Sequence, residues 1–294
     1  MIYDLSVIIP CYNSSQTIKS AIESVFIQDA NISIEVIVVD DNSSDINFLE
    51  NEINSIGKKS GNNIRLIKLS RNNGGGNARN VGVSKSNSKY ISFLDSDDTW
   101  MRGKINRQIK IYKPGTILTS KVKKGSDLSS AIVLPKEIKL DLEPVSEALF
   151  VTNKLIQTST FFMSSDIAKM VMFNPNLPRH QDYDFLLRAE HLGFSIVQDD
   201  EPTSFWRVED PSSNRFLKKK ATPEFFIKWF SEYRKYMTNK AQISYVSKNI
   251  FSACILTKKF KLLCSFVFLG DFNTIEIFKI LYHVVKWRFN KVFR

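Results

Sequence analysis

Cysteine is scarce in this 294-residue chain: only Cys11, Cys254 and Cys264 occur. Three cannot build a disulfide framework and no two stand at metal-ligand spacing, which points to a reducing cytoplasm. Long apolar runs are missing too. The longest, residues 264–270, falls far below the roughly 18 to 20 residues that span a bilayer. The opening residues, MIYDLSVIIP, lack the basic stretch and long apolar run of a secretory signal. The expectation is a cytoplasmic protein that does not cross a membrane. No internal repeat is evident. Hydrophobic residues at 43% and charged residues at 24% are globular values, so wholesale disorder and fibrous repeats are excluded. The length allows one large domain or two ordinary ones.

What is present in excess is positive charge, and it is unevenly placed. The net charge is +11, yet residues 215–294 hold 17 Lys+Arg against 4 Asp+Glu, a balance of +13. The first 214 residues therefore sit at −2. This asymmetry suits a polyanionic partner for the tail, either nucleic acid or an anionic membrane surface.

The near-neutral body reads as alternating strands and helices. Residues 5–10 (LSVIIP), 35–40 (EVIVVD), 63–69 and 90–94 (YISFL) are short β-branched runs with the look of buried strands. Between the first two, Ile18, Ala21, Ile22, Val25 and Phe26 recur at helical spacing. A second helix begins near Ala78 after the loop RNNGGGN. Residues 113–144 lose clear periodicity and read as loops and short strands. A helix, a strand near 158–163 and a helix start at Ser165 follow, then a helix near 182–192 and a strand near 195–198. The pattern predicts an α/β fold with an open, mostly parallel sheet and helices on both faces. Ligands in such sheets bind beyond the carboxyl ends of the strands. Those ends carry Cys11 to Asn13, then Asp40 to Asn42, then Arg71 to Gly76, then Asp95 to Asp98.

Asp95, Ser96, Asp97 and Asp98 put three carboxylates directly after a strand, where they repel one another unless a cation or protons intervene. A hard divalent cation, Mg²⁺ or Mn²⁺, suits oxygen ligands of this kind; a solvated acidic turn is the plain alternative. Gly74, Gly75 and Gly76 allow close backbone approach ahead of a helix N-terminus that favours anions. The loop is neither a Walker loop nor a GxGxxG fingerprint. Arg71 and Arg79 flank it and could balance a diphosphate.

Taken in order, SVIIPCYN, VIVVDDNSSD, RNNGGGNARNVG and YISFLDSDDTW resemble family 2 glycosyltransferases with the GT-A fold. The resemblance covers residues 4–105, and HQDYDFLLRAEHLG at 180–193 extends it to about 200. It implies that Pro10, Tyr12, Asn13 and Asp41 hold the nucleotide base and that Arg79 lies by the diphosphate. It also implies that Asp95 lies near the ribose, with Ser96 beside it, that Asp97 binds the metal, and that Asp98 is a weaker ligand. The family's general base opens a helix as the aspartate of a Glu-Asp pair. Here that residue is Asp182, and Gln181 stands where the glutamate belongs. Asp184 suits an ion pair with Arg188 one turn on. Trp100 could line a sugar pocket or pack in the core, and His180 could touch substrate or be structural. The implied reaction is a single in-line displacement that inverts the anomeric carbon. The Gln-x-x-Arg-Trp motif of processive members is absent, so one sugar is expected per encounter. UDP is the nucleotide expected by resemblance, with GDP or dTDP open.

The division expected is a catalytic domain over residues 1–205 and a basic helical region over 206–294. In the tail, Glu276, Lys279, His283, Lys286 and Asn290 form one narrow polar stripe, and Ile277, Phe278, Leu281, Val284, Val285, Phe289 and Val292 fill the rest. The stretches FLKKKATPEFFIKWF and LTKKFKLLCSFVF mix basic and aromatic residues in the same way. Such a helix lies well in a membrane interface, although it could equally cover the catalytic domain or form a dimer contact. A peripheral enzyme on the inner face of the membrane would suit a polyprenyl-linked saccharide acceptor. Two rivals stand beside this reading. A sugar-phosphate nucleotidyltransferase would release pyrophosphate instead. A nucleic-acid binder would use the basic tail, but no such module is visible and the acidic strand ends would repel phosphates.

Overall fold

The computed structural model describes residues 2–60, 63–136, 143–208, 222–269, 272 and 274–292. The chain divides into two compact units, Met1–Leu142 with Lys154–Ser212, and Glu143–Asn153 with Ser213–Arg294.

The first unit opens as β1 (Tyr3–Cys11), α1 (Ile18–Phe26), β2 (Ile34–Asp40), α2 (Ile46–Ser60), β3 (Asn63–Lys68), α3 (Gly75–Lys85) and β4 (Ser88–Phe93). β1 pairs in parallel with both β2 and β4, and β2 with β3. Val7 to Ile9 and Val36 to Val39 are fully buried, which is why these strands read as continuous β-branched runs rather than alternating ones. The helical face of α1 is buried as its spacing requires, through Ile18, Ala21, Ile22 and Val25. Helix α3 starts at Gly75 rather than near Ala78, so the glycine loop runs straight into its first turn.

Beyond β4 come β5 (Thr99–Trp100), α4 (Lys104–Ile111), β6 (Thr116–Gly125), β7 (Ile132–Leu134), α5 (Val145–Phe150, in the second unit), β8 (Phe162–Ser164), α6 (Ser165–Val171), α7 (Gln181–His191) and β9 (Ser195–Arg207). The sheet order is β3-β2-β1-β4-β8-β6-β9-β5, with β7 on β6. Parallel pairing rules the first four strands; β8 then runs antiparallel to both β4 and β6. The sheet is thus mixed: antiparallel β8 separates the parallel block β3-β2-β1-β4 from β6 and β9, which again pair in parallel. Residues 113–144, expected as loops and short strands, contain the ten-residue β6. Its lysines hid it: Lys121 pairs with Asp200, and Lys124 Nζ lies 4.4 Å above the Trp206 ring, both partners lying on β9.

The second unit is helical: α5, then α8 (Pro223–Tyr233), α9 (Asn239–Tyr245), a π-helical stretch (Val246–Phe251), α10 (Ser252–Leu256), α11 (Phe260–Leu269) and α12 (Thr274–Val292). Thr222 caps α8, its Oγ1 accepting from the Phe225 amide at 3.2 Å, with Pro223 in the first turn. Aromatic rings form the centre. Trp229 stacks on Tyr233 at 4.8 Å and meets Tyr245 at 5.0 Å, and Phe150 of α5 packs edge-on against Tyr245. Segment 143–153, read from sequence as part of the catalytic domain, joins this unit through such contacts. Phe226, Trp229 and Phe230, expected on a membrane-facing surface, are instead buried here. Residues 216–221 of that basic stretch lie outside the described residues. Helix α12 buries Ile280 but leaves Ile275, Phe278, Leu281 and Tyr282 exposed. Among the described residues no helix is long and apolar enough to cross a membrane.

Candidate active site

The parallel strands β1, β2 and β4 end side by side, and the loops after them carry the polar residues. At the end of β1, Asn13 adopts a left-handed φ of 51°. Its amide donates to Ser43 Oγ at 2.9 Å, and its Oδ1 accepts from the Ser44 amide at 2.8 Å. The β1 and β2 loops are thereby tied together. Pro10 is half-buried beside them, while Tyr12 is exposed. Asp41 is buried, and its two oxygens accept from the amides of Asn73 and Gly74 at 2.9 and 2.7 Å. The carboxylate therefore shapes the glycine loop. Gly74 has φ 86°, a conformation side chains resist, immediately before α3 begins. Arg71, on the same loop, is exposed.

Arg79 sits one turn into α3 and is buried. Its Nη2 donates to Asp95 Oδ1 at 2.5 Å, its Nη1 to Gln181 Oε1 at 3.0 Å, and its guanidinium lies 5.3 Å from the Phe173 ring centroid. One side chain thus joins α3, the end of β4 and the start of α7. Asp182, next to Gln181, is close enough to feel both Arg79 and Asp95. Burial lifts its carboxyl to about 6, against the opposing pull of the Tyr183 amide and Arg79. A base that titrates there is deprotonated at neutral pH yet basic enough to take a proton, which is what general-base work asks for.

The acidic loop splits by environment. Ser96 is buried and its hydroxyl donates to Ser14 Oγ at 2.9 Å, fixing the loop to the end of β1. Asp97 is exposed. Asp98, expected as a weaker metal ligand, turns inward: it is buried, and its Oδ2 accepts from Gln157 Nε2 and, at 2.7 Å, from Ser159 Oγ. Burial first, and then the charges of Asp95 and Asp97, push its carboxyl well above the usual range. Ser159 also accepts the Asp95 amide at 3.0 Å, so Asp98, Ser159 and Asp95 form one chain of hydrogen bonds. No sequence pattern singled out Gln157 or Ser159; they lie on either side of the start of a single 3₁₀ turn, Thr158–Thr160.

Among the described residues no three His, Cys, Asp or Glu side chains form a closed metal cage. Mg²⁺ and Mn²⁺ do not need one, since such cations take one or two carboxylates and complete their shell with water and substrate phosphates. Exposed Asp97, with Asp95 31% exposed two residues before it, fits that open kind of site. Trp100 is core: it is buried, its Nε1 donates to Ser159 O at 2.9 Å, and buried Lys104 Nζ lies 4.9 Å from its ring centroid. His180 stacks on Tyr183 at 4.8 Å with φ 58°, just ahead of α7. Burial and the Arg179 charge hold its imidazole down at about 3, which favours the neutral ring near neutral pH. Asp184 is fully buried in a two-point pair with Arg188, both bonds at 2.7 Å, which makes it structural.

Comparisons with known proteins bear on the family and the fold. The family model for glycosyl transferase family 2 matches residues 6–163. The amylovoran biosynthesis glycosyltransferase AmsB of Erwinia amylovora is 29% identical over 247 residues, covering 82% of this chain and 81% of that protein. The Escherichia coli UDP-Glc:alpha-D-GlcNAc-diphosphoundecaprenol beta-1,3-glucosyltransferase WfgD is 34% identical over 115 residues, 39% of this chain and 43% of its own. The crystal structure of Staphylococcus aureus TarS 1-349 in complex with UDP-GlcNAc matches with a TM-score of 0.60 at 18% identity, over 95% of this chain and 79% of that one. At that identity the likeness speaks for the fold alone, which is GT-A. With the ordered strand-end motifs and a family match over more than half of its length, the chain belongs to glycosyl transferase family 2.

Proposed function

We propose that this glycosyltransferase moves one sugar from a uridine diphosphate sugar to the hydroxyl of a lipid-linked saccharide, with inversion, in bacterial surface polysaccharide synthesis. The observation that carries the reading is Asp182, raised to about 6, within the electrostatic reach of the Arg79–Asp95 pair. Base and anion-binding groups meet there, as a displacement between an acceptor hydroxyl and a departing diphosphate requires.

In this reading Asn13, Asp41 and the half-buried Pro10 frame the nucleotide base beside Tyr12. Asp95 and Ser96 lie near the ribose, and Arg79, with Arg71 at the loop rim, faces the diphosphate. Asp182 takes the proton from the acceptor hydroxyl as its oxygen attacks the anomeric carbon from the face opposite the leaving group. An α-linked donor then gives a β-linkage. Asp97 would hold a divalent cation, Mn²⁺ or Mg²⁺, whose chemistry when bound is to neutralise negative charge on the departing diphosphate. Asp98 keeps the loop in place.

UDP as the nucleotide draws support from the UDP-GlcNAc complex of the structural neighbour and from the UDP-glucose named for the Escherichia coli relative. That relative's diphosphoundecaprenol substrate supports a lipid-linked acceptor. Membrane attachment at the inner face rests on the tail: a +13 balance over residues 215–294 and the exposed Ile275, Phe278, Leu281 and Tyr282 on α12. Each basic residue near an anionic surface adds about 1 kcal/mol of attraction. The test is nucleoside diphosphate release from a panel of nucleotide sugars with Mn²⁺, Mg²⁺ or EDTA. Release from one donor, metal-dependent and lost in Asp97→Ala, is the expected result. Release of pyrophosphate would point to a nucleotidyltransferase, and failure of every nucleotide sugar to bind would refute the assignment of Asp95 and Asp97.

A further inference from the structure

Gln181 is the residue by which this chain departs from its family's Glu-Asp pair, and its surroundings give the departure a purpose. Its Nε2 donates to Leu177 O at 2.6 Å, which fixes the orientation of the amide and aims Oε1 at Arg79 Nη1, 3.0 Å away. The other amino group of Arg79 is held by Asp95 at 2.5 Å. The contact is close on the backbone side as well. A Cβ on Gly76 would stand 3.3 Å from Gln181 Cδ and 3.2 Å from Asn174 O, tight enough that a side chain there would press on the Gln181 amide. The amide oxygen thus supplies the acceptor that a glutamate would supply, but without its charge. With a carboxylate in that place, the guanidinium would face two anions and its positive charge would be largely spent within the protein.

We propose that Gln181 is a positioning residue that holds Arg79 toward the donor diphosphate and, being uncharged, leaves the guanidinium's positive charge free to act on that diphosphate. The same neutrality bears on Asp182. The charged or titratable groups that act on it are Arg79 from α3, Asp95 from the end of β4, and Tyr183 along its own segment. A carboxylate at position 181 would add a second anion beside the base and raise its proton affinity further. The inference rests on the reading of Arg79 and Asp182 given above.

The experiment compares wild type, Gln181→Glu and Gln181→Met by calorimetric binding of UDP with Mn²⁺ and by the pH profile of donor turnover. Gln181→Glu is expected to weaken UDP about tenfold and to move the acid limb of kcat/KM upward by about one pH unit. Gln181→Met removes the acceptor without adding charge; it is expected to weaken UDP a few-fold and leave the limb where it is. Side chains that merely pack would not move the limb at all. UDP affinity equal to wild type in both variants would overturn the proposal. Asp182→Asn separates the two readings: full turnover in that variant would refute Asp182 as the base, while the UDP measurement still decides Gln181.

Discussion

The two units of the chain handle charge in opposite ways. In the catalytic unit the charged groups at the strand ends are held in networks: Arg79 between Asp95 and Gln181, Asp98 by Gln157 and Ser159, Asp41 by two backbone amides. The helical unit builds its centre from rings, with Trp229, Tyr233, Tyr245, Phe150 and Phe230 in contact; Lys228, Lys235, Lys258 and Lys279 lie exposed, while half-buried Lys248 donates to the Phe150 carbonyl. Residues 1–214 balance at −2 while residues 215–294 stand at +13. The difference teaches where chemistry can reside. Catalysis needs polar groups fixed before the reaction, and ends of parallel strands provide that fixation.

The largest test of this contrast is Asp182→Asn. The amide keeps the shape and cannot accept the proton, so turnover should fall by about 10²- to 10⁴-fold while UDP binding is retained. In wild type, the raised carboxyl places the acid limb of kcat/KM near pH 6: activity is lost as pH falls through that value, because the base becomes protonated. A profile flat down to pH 4 would show that another group takes the proton. A parallel loss of UDP affinity would mean that Asp182 serves the donor rather than the acceptor.

The catalytic side of the contrast was the more legible from sequence, for a physical reason. Buried parallel strands are apolar on both faces, so β1, β2 and β4 announce themselves as runs, and whatever follows them lies at the ligand edge. Asp41, Asp95 and Asp97 could be placed that way before any coordinates, whereas Arg79 was read from its place beside the glycine loop and from the family resemblance. Gln157 and Ser159 could not, because a three-residue 3₁₀ turn has no period to read and their importance comes from Asp98, some 60 positions earlier. Strand β6 was obscured by lysines whose partners lie on β9, more than 70 residues away. In the tail, composition announced basic and aromatic character but not which rings face inward. Phe226, Trp229 and Phe230 lie within two positions of Lys228 in sequence and are buried in space, a distinction set by their neighbours on α5 and α9.

The aromatic centre supplies the next test. Trp229 is 1% exposed and touches rings from three directions. Trp229→Ala should cost about 3–5 kcal/mol of stability, the range for large aromatic deletions in packed cores, read from the urea midpoint of unfolding. A loss below about 1 kcal/mol would mean that the ring cluster collapses around the gap and contributes little order to the unit.

The smallest expected effect concerns the surface. Phe278 is 69% exposed on α12, with Ile275 one turn before it and Leu281 and Tyr282 one turn after, while the same helix buries Ile280 on its other side. An apolar stripe left uncovered beside Lys279 has the character of a face that enters a lipid interface. Replacing Phe278 by Glu removes apolar area and adds an anion where cations are needed. Vesicles containing anionic lipid should then retain roughly a tenth as much protein, by cosedimentation at low salt, and neutral vesicles should show little binding of either form. Donor hydrolysis in solution should be unchanged, since Phe278 belongs to the helical unit and to none of the networks at the strand ends. Equal retention of Phe278→Glu and wild type would assign the attraction to the lysines alone, and sedimentation of a smaller particle by the variant in the absence of lipid would assign the stripe to a contact between copies of the chain.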